Sequence, residues 1–153
     1  MRIKEIELDN FKSFGKVTRV PLLDAFTTIS GPSGSGKSNI IDSLLFALGL
    51  SSTRTMRAER LPDLLNNLSG KNEAKVTVRF TDDKEANIEV CRRIRVKDNG
   101  YTSTYMLNGR NATLTEIHDE LTKYNFSPTG YNVIMQGDVT GIVTMSGSER
   151  RKI

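Results

Sequence analysis

Apolar and charged residues alternate over residues 2–9, which predicts a strand with Ile6 and Leu8 on one face. Residues 10–15 follow as a turn or strand end, and residues 25–30 form a β-prone segment running into Gly31. The period then changes. Ile40, Ile41, Leu44, Leu45 and Leu48 cover a broad helical face, predicting a largely buried helix from Lys37 to Leu48 that stops at Gly49. The middle of the chain returns to alternation over residues 75–80, 88–97 and 101–107, an antiparallel meander turning at Asp98-Asn99-Gly100 and Asn108-Gly109. Thr113-x-x-Glu116 is a capping box with Leu114, Ile117, Leu121 and Tyr124 at helical spacing behind it, and Pro128 and Gly130 end that helix. A short strand over 131–135 and a second capping box, Ser146-x-x-Glu149, opening another helix, complete the pattern.

A length of 153 residues allows one domain with a real core and is too short for two. With 37% apolar and 26% charged residues, the composition is neither that of a disordered chain nor that of a membrane-embedded one. The longest apolar run, 44–48, falls far short of the ~20 residues that span a bilayer. No apolar signal region opens the chain, so no secretory leader is expected. The single cysteine, Cys91, cannot form an intramolecular disulfide, which suits a reducing compartment. A formal charge of +4 permits contact with a polyanion.

The chemistry concentrates at one place. Gly31-Pro32-Ser33-Gly34-Ser35-Gly36-Lys37-Ser38 satisfies G-x-x-x-x-G-K-[ST] in full. Glycines let backbone N–H groups converge on a phosphate where a Cβ would obstruct, and the helix starting at Lys37 aims its positive end at the same anion. In such a loop Lys37 reaches the β- and γ-phosphates and the Ser38 hydroxyl can ligate Mg²⁺. A Gly/Ser-rich surface loop is the rival reading, but it leaves the β-prone segment before and the buried helix after unexplained.

Two further features carry weaker signals. Arg93, Arg95 and Lys97 share one strand face while Arg92 points the other way. Such a row either contacts phosphates without reading bases, or belongs to an edge strand kept soluble by charge. His118 has no second histidine or cysteine at ligand spacing, which argues for a solvated or partly buried helix residue rather than a metal ligand.

Asn10-Phe11-Lys12-Ser13-Phe14, the glycine-rich loop, and Ser38-Asn39-Ile40-Ile41-Asp42-Ser43-Leu44-Leu45-Phe46-Ala47-Leu48-Gly49 together closely resemble the SMC (structural maintenance of chromosomes) family. The resemblance continues through Met56-Arg57-Ala58-Glu59-Arg60-Leu61-Pro62-Asp63-Leu64-Leu65, Tyr105-Met106-Leu107-Asn108-Gly109-Arg110, Val133-Ile134-Met135-Gln136-Gly137-Asp138-Val139-Thr140 and Glu149-Arg150-Arg151-Lys152-Ile153. It implies an α/β P-loop NTPase fold, the N-terminal half of an ABC-type ATPase head with an added antiparallel β meander. Residues 1–145 would be head, and 146–153 the start of the coiled-coil helix. The implied ligands are ATP and Mg²⁺, held by Gly31 to Ser38 and Asn39, with Lys12 and Ser13 approaching the nucleotide. Gln136 takes the Q-loop position near Mg²⁺ and the attacking water, and Arg57 matches an arginine that acts near the nucleotide and couples hydrolysis to DNA.

Rival readings stay open at several of these positions. Gln136 could end a strand, Arg57 could be a solvated charge beside Arg54 and Arg60, and Lys12 an ordinary surface lysine. Phe11 and Phe14 could be core or adenine-stacking residues. Ser33 stands where SMC proteins usually carry Asn and is similar to the loop of ABC transporter ATPases, whereas Asn39 after Lys37-Ser38 follows the SMC pattern.

No run of four apolar residues followed by Asp-Glu occurs, and no Leu-Ser-Gly-Gly signature; Leu68-Ser69-Gly70 and Met145-Ser146-Gly147 are partial look-alikes. The resemblance assigns those elements to a C-terminal half of the same head and to a second head facing it across ATP. This chain alone is therefore expected not to turn ATP over. Further implied partners are DNA, bound without sequence preference, and a kleisin subunit, with no membrane; the implied location is the cytoplasm, on the chromosome. A sheet lacking strands from its other half would expose apolar edges. The implied role is ATP-driven head engagement on DNA in chromosome condensation, cohesion or segregation. A recombination-repair relative, a transporter ATPase subunit and a scaffold with a vestigial P-loop are the alternatives.

Overall fold

The strands fold into one antiparallel sheet in the order β2-β1-β3-β4-β5-β6. They comprise β1 Arg2–Asp9, β2 Thr18–Pro21, β3 Glu73–Thr81, β4 Asn87–Lys97, β5 Gly100–Leu107 and β6 Arg110–Ala112. Helices α1 Lys37–Leu48, α2 Leu114–Thr122 and α3 Gly147–Arg150, with a 3₁₀ turn at Leu61–Leu64, complete the computed structural model, which describes residues 1–50, 56–82, 87–126 and 146–150.

Register follows from the alternation. Val78 pairs with Val90 and Val76 with Arg92, and Ile6 pairs with Val78 on the other side. One face of the sheet thus carries Leu8, Val76, Val78, Val90 and Ile94, all 0% exposed, and α1 lies across β3 and β4 on that face. The opposite face is ionic. Arg79 bonds Glu5, Glu7 and Glu89, and Arg19 bonds Glu7. Burial pushes the Glu7 carboxyl up, but the hydrogen bond and charge of Arg79, helped by Arg19, outweigh it and hold the group below its ordinary value.

Arg92 joins helix to sheet. Its guanidinium lies 4.5 Å from the ring centroid of Phe46 and 4.6 Å from that of Tyr105, and it donates to the Phe46 carbonyl at 3.1 Å. Phe11 meets Phe46 at 5.3 Å between ring centroids, the two planes tilted by 38°. At the end of α1, Gly49 sits at φ +64, and its N–H closes onto the Leu45 and Phe46 carbonyls. A Cβ there would strike Leu114 of α2, so the helix stop is also where α2 docks. His118 of α2 lies 2.8 Å through Nε2 from the Leu48 carbonyl, a partly buried docking contact as its sequence context suggested.

Several expectations need correction. β2 was not anticipated: four residues ending in proline give little alternation, and proline is tolerated because β2 is an edge strand. Residues 25–30 form no strand. Ala25 turns at φ +67, and Thr27 Oγ1 accepts a hydrogen bond from the Leu23 N–H at 2.8 Å, so local contacts replace a ladder. Ile41 is 39% exposed, because the buried face of α1 runs instead through Ile40, Asp42, Leu44 and Leu48. β4 is an interior strand, since the hairpin at residues 98–99 lays β5 beside it; the edge-strand reading of its arginines falls. Tyr124 lies past the end of α2.

The meander, α1 and the Thr113–Glu116 capping box stand as expected. An exposed apolar stretch is also present: Val17, Leu23, Phe26 and Ile29 are 56%, 71%, 82% and 39% exposed. The expected strand over 131–135 and helix stop at Pro128 and Gly130 lie outside the described residues. No described helix is long and apolar enough to cross a membrane.

Candidate nucleotide-phosphate site

Gly36 caps α1 at φ +93, a conformation that favours glycine. A Cβ there would also lie 2.8 Å from Ser13 Oγ, so its absence lets residues 10–14 press against the helix start. Lys37 folds back over the loop, its ammonium donating to the Gly31 carbonyl at 2.6 Å and the Pro32 carbonyl at 2.7 Å. Ser35 N–H closes the bend onto Pro32. The result is a cavity of about 290 Å³ lined by Ser33, Gly34, Gly36, Lys37, Ser38, Asn39 and Arg57.

A cavity with one ammonium, one guanidinium, two serine hydroxyls and the N–H groups of a helix start has the donors a polyphosphate needs. Ser38, exposed in the first turn of α1, is the oxygen suited to Mg²⁺. Among the described residues no cluster of His, Cys, Asp and Glu could hold a metal ion, so a cation here would be held mainly by phosphate oxygens and Ser38.

Loop 10–14 forms the side wall. Phe11 and Phe14 exchange backbone hydrogen bonds of 3.0 and 2.8 Å, making a tight turn with Lys12 at φ +48. Asn39 Nδ2 donates to Ser13 Oγ at 2.9 Å. Lys12 Nζ reaches Asp42 Oδ2 at 2.5 Å and also bonds the Met56 carbonyl. Arg57 Nη2 meets the same Asp42 Oδ2 at 2.6 Å, and Arg57 is one of the residues lining the cavity.

Of the residues singled out from sequence, Gly31 to Asn39, Ser13 and Arg57 therefore converge here. Lys12 comes close but is tied into the wall, and Gln136 lies outside the described residues. Phe11 is 0% exposed, a core residue, and Phe14 packs partly buried against the same core. Asp42, 1% exposed, escaped the sequence reading. Its signal was available: a carboxylate amid Ile40, Leu44 and Leu45 on a buried helix must find a cation. Neither signature look-alike has the right setting. Gly70 leads into β3 rather than a helix, and Gly147 begins α3 itself.

A glycine-bent loop crossed by a lysine and capping a buried helix defines the chain as a P-loop fold, here the half of an ABC-type ATPase head that carries the antiparallel meander. The chain belongs to the family described as RecF/RecN/SMC N terminal domain, whose model matches residues 2–151. It is 54% identical over 156 residues to the chromosome partition protein Smc of Gloeobacter violaceus, a match covering 100% of this chain and 13% of that protein. Its identity to the protein of the same name from Synechocystis is 46% over 176 residues, covering 99% of this chain and 15% of the relative. The chain thus spans about one seventh of these relatives.

Among solved structures, one described under ATP-driven dimerization and DNA-stimulated activation of SMC ATPases superposes with a TM-score of 0.83 at 41% identity, covering 99% of this chain and 96% of that one. An SmcHead bound to the C-winged helix domain of ScpA gives 0.78 at 40% identity, over 95% of this chain and 47% of that one. The recombination mediator RecF shares the fold at 22% identity, with a TM-score of 0.65, over 99% of this chain and 37% of that one.

Proposed function

We propose that this chain is the ATP-binding N-terminal half of an SMC head, residues 1–145, continuing at 146–153 into the first coiled-coil helix. The observation that carries the reading is the cavity at the start of α1, where Lys37, Ser38 and Arg57 face one space. Lys37 and the loop N–H groups bind the phosphates, Ser38 holds Mg²⁺, and Arg57 stands where charge develops on a transferring phosphoryl group. Gln136 is assigned to the metal and attacking water. ATP bound with Mg²⁺ supplies the energy; this chain's part is to hold and orient the phosphates.

Completing the site takes a C-terminal half of the same head, for which the exposed Leu23 and Phe26 offer apolar surface, and a second head across the nucleotide. ATP drives head engagement on chromosomal DNA in the cytoplasm, and a kleisin-type subunit joins the assembly. Two measurements test these readings. Purified 1–153 with Mg·ATP is expected to give no multiple-turnover hydrolysis, since it lacks the acidic strand end and the signature loop; sustained phosphate release by that fragment would overturn the half-site reading.

For DNA, Arg95 is engaged by Glu73 at 2.7 Å, while Arg93 and Lys97 on the same face form no ion pair among the described residues. Reversing Arg93 and Lys97 to glutamate in the assembled protein is expected to reduce the salt slope of DNA binding by about two. An unchanged slope would remove this face from the DNA surface.

A further inference from the structure

One carboxylate oxygen serves two cations beside the cradle. Asp42 Oδ2 receives Lys12 at 2.5 Å and Arg57 at 2.6 Å, and the Asp42 side chain is only 2% exposed. The two cations are not equivalent. Lys12 is 12% exposed and also fastened to the Met56 carbonyl, whereas Arg57 is 59% exposed and spends one nitrogen on the contact. Both residues sit at positive φ, +48 and +57, where side chains other than glycine's are rarely found. Their backbones are held in that region while both side chains converge on Asp42.

We propose that Asp42 is a positioning residue: its buried carboxylate parks the Arg57 guanidinium at the rim of the phosphate cavity, and Lys12 keeps that carboxylate neutralised when Arg57 turns toward a bound phosphate. A buried carboxylate that loses its only cation is strongly disfavoured, so an arginine that alone neutralised Asp42 could not leave it. With Lys12 remaining, Arg57 exchanges one anion for another without stranding a charge. Lys12 is then a counter-ion in the wall, not a phosphate ligand. The helix geometry supports this: Ser38 and Asp42 lie four residues apart, on one face of α1, so the parked guanidinium sits one turn from the hydroxyl assigned to Mg²⁺.

This inference rests on the phosphate-site reading, and its test separates the two. In the intact protein without nucleotide, Asp42→Asn is expected to speed backbone hydrogen exchange at residues 56–58 by about tenfold. With Mg·ATP, Asp42→Asn is expected to lower turnover about tenfold when Arg57 is present and less than about twofold in an Arg57→Ala background. Lys12→Met repeats the comparison should Asp42→Asn fail to fold, again with loss only where Arg57 remains. Equal losses in both backgrounds, or unchanged exchange at 56–58, overturn the proposal. A wild-type protein that gives no heat with Mg·ATP sinks the phosphate reading instead, while the nucleotide-free exchange result still judges the clamp.

Discussion

Replacing Lys37 with alanine is expected to weaken Mg·ATP binding to the intact protein by about 100-fold, read by isothermal titration. The ammonium spans the bend by bonding the Gly31 and Pro32 carbonyls, and Lys37 is the first residue of α1. Against a polyphosphate, charge-assisted hydrogen bonds of this kind are each worth about 1.5–3 kcal/mol, which sets the size of the loss. Folding should be little disturbed, because both hydrogen bonds are solvent-exposed and Lys37 lies outside the core. Binding retained within a factor of three by a folded Lys37→Ala protein would mean that the loop is not a phosphate cradle.

The largest effect on stability is expected at Phe46. It is 0% exposed, stacks against Phe11, and carries the Arg92 guanidinium on its ring. Phe46→Ala should cost about 3–5 kcal/mol of unfolding free energy through transfer and cavity terms alone. Arg92 adds to this. Its guanidinium is half-buried, burial already pulls its pKa below the ordinary arginine value, and among the described residues no carboxylate pairs with it. Removing the ring takes away one of two aromatic faces that offset that burial. Denaturant unfolding of the intact head should show a lower midpoint at unchanged slope. A shift of under about 1 kcal/mol would show that the sheet holds α1 by other contacts.

How much of this was legible beforehand varied with the range of the interactions. α1 was readable to the residue because its signals are local: a glycine cap, an apolar stripe and a glycine stop. The same holds for α2, whose Thr113 hydroxyl and Glu116 carboxylate bond within one turn. The β-prone stretch 25–30 failed the reading because a strand needs a neighbour to share its hydrogen bonds, and none of the described strands lies there. Ile41 failed for a related reason. A five-residue apolar face fits several rotations of a helix, and Asp42, drawn inward by Lys12 and Arg57, selects the one adopted.

Order in the chain sufficed to determine the glycine-rich loop, the helix behind it, the meander and the family, since each depends on residue types at short, fixed spacing. It could not say that residues 12, 42 and 57, as far apart as 45 positions, share one carboxylate oxygen. Alternation set Arg92 on the opposite face of β4 from Arg93 and Arg95, but it could not say that the guanidinium meets rings from α1 and β5 there. Those pairings exist only once the sheet has brought distant segments within a few ångströms. At that range a buried charge must be matched by whatever cation or ring the fold has placed beside it.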